Sequence, residues 1–308
     1  MRVRTLLFVA VFLVFAAAPA PLFAQKLNAE ELVAKHLQSL GSTETRAASK
    51  SRLAQGTVLM QVLVGGNADL SGTVELASLG NDTVVGMQFG HSAYQRERVV
   101  YREGEVEVAR VNPSRRSDLG NFLYAKSLVV SEGLLGGALS TGWSLLDTAG
   151  RSPKLKYDGI KKVGGRQLHV LRYQPKKRSG ELEILLYFDP ETFHHVRSLY
   201  YFIIPAAIGI GAPGMSTQTP ASGPGESGSP AGRDESPEVT AARLQESRFR
   251  LEEDFSEFQT VQGLTMPSKW RIRLTSDTKN SRVWEWQAQF TKIENNADVR
   301  PAAFTIQQ

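Results

Sequence analysis

The chain has 308 residues, no cysteine, and 36 lysines and arginines against 31 aspartates and glutamates. The lack of cysteine excludes disulfides, thiol nucleophiles and cysteine metal sites, and an excess of five dispersed basic residues is too small to argue for nucleic acid. Burial alone must therefore stabilise the fold, and a chain of this length can bury a substantial core.

The opening MRVRTLLFVAVFLVFAAAPAPLFAQ runs from Arg2 and Arg4 through an apolar stretch, Leu6 to Ala18, into small residues before Gln25. That is the order of a secretory signal peptide, cut after Ala24. The apolar stretch is shorter than the roughly 20 residues a membrane span requires. No cysteine follows for lipid attachment, so the expectation is cleavage of residues 1–24 and a protein in the periplasm or secreted, with no stable membrane anchor. Residues 25–308 are read as one domain.

In NAEELVAKHLQSLG, Asn28 suits an N-cap, Glu31 sits where a capping-box acid belongs, Val33, Leu37 and Leu40 make an apolar stripe, and Gly41 ends the run. An amphipathic helix is predicted there. From Leu53 to Arg110, short runs rich in Val, Leu, Thr and Tyr alternate with Gly, Asn and Asp about every ten residues, which predicts an antiparallel meander. The segment Ser117 to Asp147 is apolar and broken at Gly136 and Gly137, predicting two short helices with Ser117 or Asp118 as cap.

Strand patterns resume at Lys154. Leu182, Ile184, Leu186 and Phe188 alternate, Asp189 and Pro190 turn, and the chain returns from His195 to Ile204. Between 209 and 240 the composition shifts to Gly, Pro, Ser and Thr, which predicts a disordered insertion within the single domain. Two phrases, KKVGGRQLHVLRY and FQTVQGLTMPSKWRIRL, repeat one turn-and-strand pattern. Trp284, Trp286, Ala288 and Phe290 share a face, as do Leu264, Met266, Trp270, Ile272 and Leu274. A sheet with one apolar face needs a cover, so the residues predict an α+β fold: a curved antiparallel sheet capped by helices.

This order of elements, closing with Gly263 to Trp270, Pro267, the pair Asn295 and Asn296, Pro301 and Phe304, resembles the LolA/LolB superfamily of periplasmic lipoprotein carriers. The insertion is not part of that pattern. The resemblance implies an unclosed half β-barrel whose concave face holds lipid chains under helices. It implies a soluble carrier or sensor of a lipid or lipoprotein acyl chain, with room for an envelope protein partner and no cofactor.

On that implication Trp270, Trp284, Trp286, Phe290, Met266 and Ile272 are candidate cavity walls, although the same stripe reads equally as plain core. Phe122, Leu134, Leu135, Leu139 and Trp143 are candidate lid residues, with a fixed pair of core helices as the alternative. Arg110, Arg115, Arg116, Lys176, Lys177 and Arg178 are candidates for a rim that attracts anionic heads, or solvated turn charges. His194 and His195 are adjacent on a strand and point to opposite faces, which argues against a shared metal ion. His36, His91 and His169 have no catalytic spacing, and nucleophile elbows, zincin pairs and phosphate loops are absent. The expectation is a non-enzymatic binding protein. An envelope interaction protein with a filled core, or a hydrolase with an unrecognised site, are the alternatives.

Overall fold

The computed structural model describes residues 27–112, 115–177, 180–204, 247–277 and 281–306. The expected signal peptide and insertion, and Arg178, lie outside the described residues.

Helix α1 (Ala29–Leu40) starts with a capping box: the Asn28 side chain accepts the Glu31 N–H at 2.8 Å, and the Glu31 carboxylate accepts the Asn28 N–H at 3.1 Å. Its buried face is Ala29, Leu32, Val33, His36 and Leu40, wider than the expected stripe and including a histidine. The helix ends at Gly41, where φ is 140° and an added Cβ would come within 2.6 Å of the Gly263 carbonyl oxygen. Only glycine lets the helix end so close to that turn. A short helix, α2 (Thr43–Ala48), follows behind its Ser42 cap.

Strands β1 (Ser51–Val64), β2 (Asp69–Leu79), β3 (Asp82–His91), β4 (Tyr94–Arg102) and β5 (Glu105–Val108) form the expected meander. The central segment comprises α3 (Asp118–Ala125), α4 (Leu128–Ser131), single 3-10 turns at Gly137–Leu139 and Ser144–Asp147, and α5 (Thr148–Arg151). It is more fragmented than two helices, because Gly133, Gly136 and Gly137 take φ of 66°, 79° and 52° and each interrupts the helical path. Then come β6 (Lys154–Val163), β7 (Arg166–Gln174), β8 (Glu183–Phe188), β9 (His195–Ile204), β10 (Ser247–Val261), β11 (Leu264–Asp277) and β12 (Arg282–Asn295).

The twelve strands of the described residues belong to one antiparallel sheet, ordered β5-β4-β3-β2-β1-β12-β11-β10-β9-β8-β7-β6. The edge strands β5 and β6 do not pair, so the half-barrel is unclosed. Consecutive strands are neighbours within β1 to β5 and within β6 to β12, and among the described strands the one pairing of non-consecutive strands is β1 with β12 near the middle of the sheet. Ile204 pairs with Ser247, so the chain leaves β9 and re-enters on its neighbour β10. The repeated phrase is a repeated hairpin. Gly164 and Gly165 have φ of 57° and 84°, and Gln262 and Gly263 have φ of 51° and 78°, the paired positive values of a two-residue turn that suits the strand twist.

The concave face packs against α1 and the central segment in one cluster that includes Met60, Leu76, Met87, Leu186, Leu251 and Trp270. On the convex side a smaller cluster of Ala77, Val84, Val100 and Phe304 holds the C-terminal stretch, and Arg98 donates to the carbonyls of Ala303 at 2.5 Å and Thr305 at 3.1 Å. Elsewhere on that side an ion-pair ladder runs Arg197, Asp254, Arg271, Glu285 and Arg273 across four strands.

Candidate functional site

The expected wall and lid residues meet in the interior. Trp270, Trp284, Trp286, Phe290, Met266 and Ile272 from β11 and β12 share one buried cluster with Phe122, Leu134, Leu135, Leu139 and Trp143 from the central segment. Trp270 and Trp286 are each 1% exposed. Both indole N–H groups are satisfied, Trp270 by a Glu253 carboxyl oxygen at 2.9 Å and Trp286 by the Tyr94 hydroxyl at 3.2 Å.

The expected rim residues that are described divide between the two edges of the sheet. Arg115 and Arg116 follow edge strand β5, where Arg116 donates to the Val108 carbonyl at 3.1 Å and lies 4.2 Å over the Tyr124 ring. Arg110 lies in the same connection. Lys176 and Lys177 are exposed in the β7–β8 connection, near the opposite edge.

A small number of polar contacts fasten the cover to the sheet, and the sequence reading identified none of them. Glu253, on the concave side of β10 between Leu251 and Phe255, accepts the Gly136 N–H at 2.8 Å and the Tyr200 hydroxyl at 2.7 Å. Tyr200 also lies 3.1 Å from the Leu134 carbonyl. Burial pushes the Glu253 carboxyl up to about 7, against the pull of these donors. Trp143 donates to His36 Nε2 at 3.1 Å, while His36 Nδ1 lies 3.1 Å from the Phe193 carbonyl. These partners place the proton on Nδ1 and make the ring neutral, and burial pulls its pKa down to about 3. His195, also fully buried, stacks on Trp143 with ring centres 4.9 Å apart. Ser144 donates to Tyr173 at 2.5 Å, and Tyr173 donates to Glu132 at 2.8 Å.

Arg52 completes the set. It projects from β1, is 4% exposed as a residue, and donates to Ala138 O at 2.5 Å and Asn295 Oδ1 at 2.6 Å. Beside it, at the seam between α1, α2, the Ala138 to Asp147 stretch and the start of β11, opens a cleft of about 410 Å³. Leu37, Leu40, Leu146, Leu264 and Met266 supply its apolar wall. Met266 is thus the expected wall residue that reaches a cleft at the cover's edge. Among the described residues no group of three or more side chains suited to holding a metal ion comes together.

An acid between two inward apolar residues, as in Leu251, Glu253 and Phe255, is a signal that strand alternation carries. Arg52 gives a weaker one, since its neighbours on the same face, Ala54 and Val58, are small.

The chain is similar in fold to several solved structures. One is a DUF1329 family protein from Desulfovibrio piger, with 12% identity and a TM-score of 0.46 over 90% of this chain and 97% of that one. Another is a LolA superfamily protein from Nitrosomonas europaea, with 12% identity and a TM-score of 0.45 over 91% and 98%. A third is a putative outer membrane lipoprotein-sorting protein domain from Vibrio parahaemolyticus, with 9% identity and a TM-score of 0.40 over 88% and 97%. No family model matches the chain, and no curated protein matches it.

Proposed function

We propose that the chain is an exported, non-enzymatic binding protein that takes an acyl chain of a lipid or lipoprotein between its half-barrel and its helical cover. The observation that carries this reading is the cleft of about 410 Å³ at the seam of cover and sheet, with its leucine and methionine wall. Its volume falls within the roughly 300–1,000 Å³ of small-molecule sites. Each methylene taken out of water there contributes about 0.8 kcal/mol. Entry of a chain beneath the cover would require release of the separate polar contacts that tie its short elements to the sheet. Residues 1–24 would direct the chain to the periplasm, and residues 25–308 would act as one carrier-like domain.

Detergent-free purification of the mature protein, followed by native mass spectrometry and lipid extraction, tests the reading. A stoichiometric co-purifying lipid supports it. A lipid-free mass that stays unchanged after incubation with acyl amphiphiles refutes it.

The tight packing of Trp270, Trp286 and Phe290 favours a second reading, an interaction protein whose interior is a closed core. In that case envelope proteins, and no lipid, would be recovered with the chain.

A further inference from the structure

The charges around the cleft are one-sided. Arg46, Lys50 and Arg52 line it, and among the described residues Asp147 is the one acid in its lining. Asp147 is already engaged in accepting the Gly150 N–H at 2.9 Å. Leu146, opposite β11 across the cleft, is 36% exposed, which leaves an apolar side chain at the mouth.

Arg52 is the member that needs an explanation. Its partners are all neutral oxygens, those of Ala138 O, Asn295 Oδ1 and, at 3.3 Å, Ser49 Oγ. These occupy three of the five N–H donors of a guanidinium, and two remain. No carboxylate among the described residues pairs with it, and a buried charge without a counter-charge is costly. Removal from water lowers its pKa to about 10, so it stays charged at neutral pH. Arg46 faces the same cleft and hydrogen-bonds to neutral oxygens, the carbonyls of Leu37 and Gly41 and the Thr43 hydroxyl, while Glu44 lies within reach of its charge. Two arginines are therefore held in place by neutral acceptors at the edge of an apolar cleft.

We infer that the cleft takes a single-chain amphiphile with a carboxylate head. The chain lies along Leu37, Leu146, Leu264 and Met266, and the carboxylate meets the spare donors of Arg52, with Arg46 and Lys50 adding positive potential. This rests on the acyl-binding reading above and adds to it the head group. A planar two-oxygen head matches the planar guanidinium fork. The volume, near the lower end for ligand sites, suits one chain better than two.

Calorimetric titration of the mature protein with dodecanoate, dodecanol, dodecyl phosphate and acetate tests the inference. Dodecanoate is expected to bind about tenfold to a hundredfold more tightly than dodecanol, the range for a hydrogen bond to a charged group. Arg52→Gln should bind the two alike. Leu146→Trp, at the exposed mouth, should weaken both. Should Arg52→Gln fail to fold, Arg46→Gln is expected to narrow the preference, and the comparison of ligands on the unaltered protein still decides the matter. Equal affinity for dodecanoate and dodecanol overturns the head-group inference and leaves acyl binding standing, whereas binding of neither overturns both. Tighter binding of dodecyl phosphate assigns the site to phosphate heads, and acetate as tight as dodecanoate assigns it to free anions. Either result overturns the proposal as stated.

Discussion

Replacing Glu253 by glutamine should remove a specific part of the protein's pH dependence. Burial raises this carboxyl from 4.5 to about 7, so the native state holds the proton more tightly than the unfolded chain. Its contribution to stability is complete below pH 4.5, is lost as pH rises through about 7, and is flat above that. Between pH 5 and pH 8 these two values correspond to a loss of about 2.5 kcal/mol, at 1.36 kcal/mol per unit. Burial favours the neutral form against the pull of the donors, and the hydrogen-bond network can accommodate the added proton. Tyr200 has one hydroxyl proton and two acceptors, Glu253 Oε2 at 2.7 Å and Leu134 O at 3.1 Å. A protonated Glu253 can donate to Tyr200, which frees the tyrosine proton for Leu134, and a glutamine amide can do the same. Urea unfolding followed by tryptophan fluorescence at pH 5 and pH 8 measures the difference. Glu97, raised to about 7 as well, is present in both proteins and cancels. The variant should lose about 2.5 kcal/mol less than the parent over this interval. An identical loss in both would refute the reasoning.

His36 should behave in the opposite sense. Its pKa is held near 3 instead of 6.5, so stability present above pH 6.5 is lost as pH falls towards 3; its ring resonances should not titrate between pH 5 and 8 by NMR, and a titration near 6 would contradict the buried neutral ring. Gly41→Ala should destabilise by about 1–3 kcal/mol, since the added Cβ meets the Gly263 carbonyl at a positive φ, and thermal unfolding would register it. Trp270→Phe removes the indole donor from Glu253 and should cost about 1–3 kcal/mol in urea unfolding, with little effect counting against that hydrogen bond.

The fold was readable where period and turn chemistry agreed. Alternation from Trp284 to Phe290 placed those side chains inside, and the Gly164–Gly165 and Gln262–Gly263 turns marked two hairpins. The same alternation, continued, would place Ile293 and Asn295 outside. A bulge intervenes: Gln55 pairs with Lys292 but Gly56 pairs with Phe290, so parity reverses at Thr291. Ile293 joins the core, and Asn295 turns inward to meet Arg52. Periodicity cannot register an inserted residue, which is one reason the Arg52 contact was not legible. The cover escaped detail for a different reason. Between Gly133 and Trp143 no element exceeds a single turn, and the path is set by glycine dihedrals and by bonds to His36, Glu253 and Arg52 across the fold. Glu253 itself was within reach, as an acid on an otherwise apolar strand face.

The joint of β1 and β12 has a consequence for how the chain comes to its structure. Arg52 and Asn295 are 243 residues apart in sequence, while every other strand pairing joins consecutive strands. Loop closure adds entropy only slowly with length, but such non-local pairings delay folding. The two meanders can zip locally as the chain emerges, whereas the centre of the sheet must wait for its last strand. Until then β1 and β11 each present an unpaired edge, with Val58, Met60 and Trp270 beside it, and a chain ending before β12 would keep both edges open to aggregation.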